Sequence, residues 1–341
     1  MIKIKDRGII LEKTELDFEN QAVLNPACIE KDGIIHMFYR AVHTGNYSSI
    51  GYCQFKNNKL IYRSTTPILK PEHNYEKHGV EDPKIVLLDG IYYLFYVAYD
   101  GENARIALAT STDLKKFEKK GIISSQMSYD KAEDIFSKSN VKKIYSKFER
   151  AYLSKNNSKI ILWEKDTFIF PQKINGKFAM IHRILPGIQV IYFDSFSDLT
   201  EQFWSNYFTQ LGKYIVLEPK FDFEKSYIGG GCPPIETEAG WLLIFHAVSE
   251  NDKGRTYCAS AALLDKKDPT KVIGRLNHPL FSPTEKWEKS GDVNNVVFPS
   301  SALLNGENVD VYYGAADSVI ALKSINLNSL LSELTQKNDQ K

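Results

Sequence analysis

The stretch GVEDPKIVLLDGIYYLFYVAYDG, Gly79 to Gly101, places two carboxylates directly before a proline and follows them with a β-rich apolar run, an Asp-Gly and a second aromatic run. Its outline recurs four more times when the chain is aligned on one glycine: NPACIEKDGIIHMFYRAV at Gly33, FPQKINGKFAMIHRIL at Gly176, CPPIETEAGWLLIFHAV at Gly240 and FPSSALLNGENVDVYYGAA at Gly306. In every copy a proline (Pro26, Pro83, Pro171, Pro234, Pro299) precedes the glycine by five to seven positions. Six positions after it stands an aromatic or imidazole side chain with a polar handle: Tyr39, Tyr96, His182, His246 or Tyr312. Strand, tight turn at Asp-Gly or Asn-Gly, and returning strand is the simplest reading of each copy.

The five glycines are 57, 86, 64 and 66 residues apart, beyond the roughly 40 to 50 residues of common propeller repeats. Each interval holds a four-stranded blade with loops to spare. The expected fold is all-β, a single five-bladed β-propeller over residues 1–341; a β-sandwich of this length gives no reason for five equal motifs. The longest interval contains a charged segment, Ser124 to Lys159, which reads as a partly helical insertion between blades two and three. It is expected to project from the blades, capping one face or contacting another subunit of a homo-oligomer. Leu327, Leu330, Leu331 and Leu334 lie at helical spacing and predict a short C-terminal helix.

Bulk composition narrows the function. Lys and Arg number 43 against 42 Asp and Glu, without the basic excess of a general nucleic-acid binder. The cysteines, Cys28, Cys53, Cys232 and Cys258, form no CxxC pair, which argues against a zinc ribbon or a disulfide framework and for buried reduced thiols. No metal site is expected. The N-terminus lacks the apolar core of a signal peptide, and no run approaches the roughly 18 apolar residues of a membrane span, so a cytoplasmic protein that binds neither membrane nor nucleic acid is expected.

In a propeller the residues beside the prolines converge on the mouth of the central channel. Proline is tolerated at a strand start or bulge, and there it would aim Asp82 into a cleft. Equivalent positions offer Asn25 and Arg40 in the first copy, Asp100 in the second, Lys165, Asp166 and Arg183 in the third, His246 and Tyr257 in the fourth, and Asp317 in the fifth. Such a ring of acids, bases and aromatics suits a polyhydroxylated substrate. A cationic set of Lys165, Arg183 and His246 calls for an anion, phosphate being the natural candidate.

At these residues the chain resembles glycoside hydrolase family 130, the mannoside phosphorylases and related β-mannosidases. The likeness rests on GVEDPKI, YVAYDG with NARIALATSTDL, FPQKINGKFAMIHRI, GGGCPPIETEAGWLLIFHAV, NVVFPS and YYGAAD, in one order from Asn25 to Asp317. The resemblance implies a five-bladed propeller and inverting cleavage of β-mannosides, with inorganic phosphate as co-substrate, no other cofactor, and α-mannose 1-phosphate as product. It implies Asp82 as proton donor through a substrate hydroxyl, Lys165, Arg183, His246 and Tyr257 as phosphate ligands, and Asn25, Arg40, Asp100, Phe298 and Asp317 along the sugar subsites. Lys84 stands where the family usually has arginine, and Lys165 where many phosphorylases do; lysine keeps the charge without the bidentate geometry.

Two alternatives to phosphorolysis remain at this stage. An inverting hydrolase needs a second carboxylate to activate water, for which Glu224 and Glu236 are candidates. A non-catalytic glycan-binding propeller would keep the aromatic walls but would not need an acid opposite a cationic pocket.

Overall fold

The computed structural model describes residues 1–147, 160–252 and 254–336. It is built almost entirely of antiparallel four-stranded meanders. The first runs through Ala22–Lys31, Ile34–His43, Tyr47–Lys56 and Lys59–Arg63, and the second through Gly79–Leu88, Ile91–Tyr99, Ala104–Ser111 and Glu118–Ile122. A single parallel bridge, Ser48 to Gly79, joins them into one sheet. The third comprises Lys165–Ile169, Phe178–Arg183, Ile188–Phe193 and Ile215–Leu217.

In the fourth, Tyr227–Gly230 and Ile235–Thr237 pair with the same strand, Gly240–Asn251, as one interrupted strand; Gly254–Leu264 and Val272–Arg275 follow. The fifth consists of Val297–Asn305, Asn308–Ala315 and Val319–Asn326, completed at its outer edge by the N-terminal strand Ile4–Leu11. The first strands are neighbours in sequence order. Ala22–Lys31 contacts Gly79–Leu88, which contacts Lys165–Ile169, which contacts Tyr227–Gly230; Val297–Asn305 contacts the fourth sheet on one side and Ala22–Lys31 on the other.

The turn chemistry read from sequence holds in three copies as type I′ hairpins, with both central residues at positive φ: Asp32-Gly33 (54° and 71°), Asp89-Gly90 (51° and 78°) and Asn175-Gly176 (52° and 81°). The fifth turns at Gly306-Glu307, with only Gly306 at positive φ (59°). The fourth turns one step earlier, at Glu238-Ala239, so Gly240 begins the returning strand.

A second repeat anchors the sheets. An aromatic-Glu pair occurs as Phe18-Glu19, Tyr75-Glu76, Trp163-Glu164, Phe223-Glu224 and Trp287-Glu288, and each glutamate is at most 1% exposed. Tyr39 donates to Glu19 (2.7 Å), Tyr96 to Glu76 (2.7 Å) and Tyr313 to Glu288 (2.7 Å), while His182 Nδ1 bonds Glu164 at 2.9 Å. Three of the handles six residues after the glycine, Tyr39, Tyr96 and His182, are therefore buried ties; in the fifth copy the tie is Tyr313, one residue beyond Tyr312. A carboxylate without water is tolerable only when paired and hydrogen-bonded, and these are: Glu224 accepts from the Lys220 and Phe221 amides and pairs with Arg275 at 2.7 Å.

The described part of the insertion packs on a neighbouring helix. Its helix Tyr129–Lys138 buries Tyr129, Ala132 and Phe136, with Phe136 edge-on to Phe208 of the helix Glu201–Thr209 at 5.6 Å. It thus belongs to the largest apolar cluster, and its deletion would uncover Trp204, Tyr207 and Phe208. Residues 148–159 of the expected insertion lie outside the described residues. The C-terminal helix is present as Leu327–Thr335, capped by Asn326 and burying Leu330 and Leu334. It packs so closely on Gly274 that a Cβ there would collide with the Leu334 carbonyl.

All four cysteines are buried and free, and burial raises every thiol's pKa. No helix among the described residues is long and apolar enough to cross a membrane.

Candidate active site

Pairing between the first two strands of the second sheet skips from Glu81 to Lys84, so Asp82 and Pro83 form a bulge. Bulges re-aim side chains and strand proline needs no ladder partner there. Asp82 adopts φ 49°, and Asn25, in the equivalent bulge before Pro26, adopts φ 48°. Asp166 repeats the geometry in the third sheet at φ 58°, with Thr167 in the proline's place. Pro171 lies beyond that strand, so the third sheet reaches the site five residues before its proline. Positive φ is uncommon outside glycine, and Asn and Asp bear it best. Three such residues turned toward one cleft mark a site held by its surroundings.

The cleft measures about 390 Å³ and is lined by Asn25, Arg40, Asp82, Lys165, Asp166, Arg183, Tyr257, Phe298 and Asp317, all expected from sequence, together with Tyr227, Glu250, Arg255, Val293 and Val296. Asn25 donates to Asp82 Oδ1 at 2.8 Å, and Arg40 lies 3.5 Å from the same oxygen while pairing with Glu81 at 2.8 Å. Burial alone would raise the Asp82 pKa. Arg40, Lys165, the Asn25 hydrogen bond and Lys84 outweigh it, and the carboxyl is held below its ordinary value. Lys84, fully buried under the cleft, donates to the carbonyls of Gly231 and Ser300 and ties the second sheet to the fourth and fifth.

On the opposite wall Arg183 Nη1 is 2.7 Å from Asp166 Oδ2, and the guanidinium lies 5.4 Å from the centre of the Tyr227 ring. Lys165 Nζ sits 5.6 Å over Trp163. Tyr227 and Tyr257 share a hydroxyl hydrogen bond of 2.6 Å. His246 is completely buried behind this wall, its ring 4.5 Å from that of Phe298. Burial pushes it down to about 3, with Arg183 and Lys84 acting in the same sense against Asp166 and Asp82. It is therefore a neutral imidazole at physiological pH rather than a third cation, which corrects the charge counted from sequence. Neither of its ring nitrogens has a hydrogen-bond partner. Gly229 leaves the space that both His246 and Asp166 occupy.

His246 thus lies behind the cleft wall rather than in its lining, and three further expected residues are not brought to the cleft. Asp100 turns back on its own loop, accepting from the amides of Glu102 and Asn103 and pairing with Arg105 at 2.6 Å. Glu224 is one of the buried structural glutamates, and Glu236 is exposed and paired with Lys266 at 3.3 Å. Conversely, Glu250 and Arg255, ion-paired at 3.1 Å across the end of one hairpin, form part of the rim, and no motif in the sequence marks them.

Asp317 is raised to about 6, chiefly by burial and with Asp82 and Asp292 adding to it, against Arg40 and Lys165. The native state holds this proton up to about pH 6, whereas the unfolded chain gives it up near pH 4. Folding stability therefore falls between those values, and the penalty persists above them. Asp317→Asn, which also tolerates the local φ of 50°, should gain on the order of 2 kcal/mol over the parent at pH 8. The gain should shrink toward zero at pH 4. Urea unfolding of both proteins at the two pH values checks this, and an equal gain at both would contradict it.

An all-β chain whose sheets meet around a cleft with a carboxylate on one wall and Lys165 and Arg183 on the other has the site of a carbohydrate-active enzyme. The family model Glyco_hydro_130, described as beta-1,4-mannooligosaccharide phosphorylase, matches residues 6–336, and the chain belongs to this family. It is 33% identical over 343 residues to the 1,2-beta-oligomannan phosphorylase of Thermoanaerobacter sp. strain X514, covering 97% of this chain and 99% of that one. It is also 33% identical to the beta-1,2-mannobiose phosphorylase of the same organism over 342 residues, 95% of this chain and 97% of the other. Among solved structures, the beta-1,2-mannobiose phosphorylase of Listeria innocua, in complex with beta-1,2-mannobiose, superposes with a TM-score of 0.70 at 22% identity, covering 92% of each chain, a likeness of fold.

Proposed function

We propose that the chain is a five-bladed β-propeller that cleaves β-mannosides by phosphorolysis with inversion, releasing α-mannose 1-phosphate. The five meanders and the succession of neighbouring first strands support the propeller. The observation that carries the chemistry is that Asp82 shares one cleft with Lys165 and Arg183. A phosphate oxygen, positioned by that pair and by Tyr257, attacks the anomeric carbon as the bond to the leaving sugar breaks. The departing oxygen takes its proton from Asp82, relayed by a substrate hydroxyl. Phosphate beside Lys165 offsets one of the charges that keep Asp82 ionised, so the donor is loaded when both substrates are bound. Asn25, Arg40, Phe298 and Asp317 line the mannosyl subsite, and Asn25 Oδ1, buried without a donor, is an acceptor for a sugar hydroxyl.

The two relatives named above match along nearly their whole length and act on β-1,2-linked mannans, whereas the β-1,4-mannooligosaccharide phosphorylase of Ruminococcus albus matches 53% of this chain. This favours β-1,2-mannosides as substrate. Incubation with β-1,2- and β-1,4-mannobiose in phosphate buffer tests the assignment: the β-1,2 disaccharide should be consumed faster, and preference for the β-1,4 isomer would reverse it. Glu224 and Glu236 lie outside the cleft, so neither supports a water-activating base.

A further inference from the structure

Asp166 is an odd neighbour for a pocket meant to hold an anion. Its carboxylate is 5% exposed, lines the cleft between Lys165 and Arg183, and is fixed by its left-handed bulge. Oδ2 is ion-paired with Arg183 Nη1 at 2.7 Å and lies 3.8 Å from His246 Nε2, but it receives no aligned hydrogen bond. The ion pair offsets its charge without completing its hydrogen bonding, and the adjoining imidazole has two unpartnered nitrogens. These atoms describe a site completed by a ligand that brings its own hydrogen-bond donor.

The oxyanions available to such a pocket differ in that respect. Inorganic phosphate and arsenate near neutral pH carry at least one hydroxyl, while sulfate carries none. A carboxylate accepts a short, charge-assisted hydrogen bond from such a hydroxyl but repels an oxygen without a proton. We propose that Asp166 selects the nucleophile by accepting the hydroxyl of hydrogenphosphate, so that the pocket admits phosphate and arsenate and excludes sulfate. This rests on the reading of Lys165 and Arg183 as the phosphate site. It also fixes the orientation of the nucleophile: with the protonated oxygen on Asp166, the unprotonated ones face Lys165 and the sugar. Specificity of this kind comes from an element that repels the competitor as much as from one that attracts the ligand.

Asp166→Asn tests the assignment, because asparagine keeps the left-handed backbone and the shape while its amide can be turned to donate to sulfate. Binding of phosphate, arsenate and sulfate to both proteins is measured by titration calorimetry, alongside sulfate inhibition of turnover. The parent should bind phosphate and arsenate at least about tenfold more tightly than sulfate, the scale of one charged hydrogen bond. The variant should lose most of that gap, with sulfate becoming an effective competitor. A carboxylate that merely positions Arg183 would alter all three anions alike, and an unchanged phosphate-to-sulfate ratio overturns the proposal. Equal binding of phosphate and sulfate by the parent does so too. If the parent binds none of the anions, the phosphate site itself fails and this assignment with it; anion binding that persists without discrimination removes Asp166 alone.

Discussion

Asp82→Asn should lower turnover of a β-mannoside by about 10² to 10⁴-fold, the range for loss of a general acid, while leaving the thermal unfolding midpoint close to the parent's. The amide preserves an acceptor for Asn25, which bonds Asp82 Oδ1 at 2.8 Å, and asparagine tolerates the φ of 49°. It cannot supply the proton that the leaving oxygen needs. The deficit should be much smaller with a mannoside whose leaving group departs without protonation, such as a nitrophenoxide. Steady-state rates on both substrates, with a circular-dichroism melt, check the result. Near-parental turnover on the unactivated mannoside would remove Asp82 from the mechanism.

Arg183→Ala should raise the phosphate KM by about 10- to 100-fold, the scale of one lost charge-assisted hydrogen bond, and change the mannoside KM far less. Arg183 touches the anion wall, not Asp82, so the effect belongs to the nucleophile. The variant also strips Asp166 of its ion-pair partner 2.7 Å away, so losses at the two positions should be non-additive. Equal increases in both KM values would show that Arg183 supports the cleft in general rather than the anion.

Much of this arrangement was readable because the chain repeats itself. Proline after Asp82 and Asn25 signals the bulges that aim them, and the glycines mark the turn between the first two strands of each sheet. Asp166 is legible as an equivalent position, but its bulge is not, because Thr167 replaces the proline. Asp100 was misplaced because its position fits the repeat. Its loop, Asp-Gly-Glu-Asn, carries the signature of an aspartate that caps its own turn, and the amide bonds from Glu102 and Asn103 follow from it. Glu224 reads as a candidate base by residue type alone, yet it belongs to the aromatic-Glu pair, whose glutamate in the first three copies stands seven residues before the proline. The neutral state of His246 and the burial of Tyr129 and Phe136 depend on neighbours from distant sequence, and no local pattern carries them.

The central claim is that phosphate, not water, receives the mannosyl group. It is tested most directly by following the products of β-1,2-mannobiose by ³¹P and ¹H NMR in phosphate-containing and phosphate-free buffer. The site described here predicts α-mannose 1-phosphate with one equivalent of free mannose when phosphate is present, and no cleavage without it. Two equivalents of free mannose, formed at the same rate in phosphate-free buffer, would contradict it.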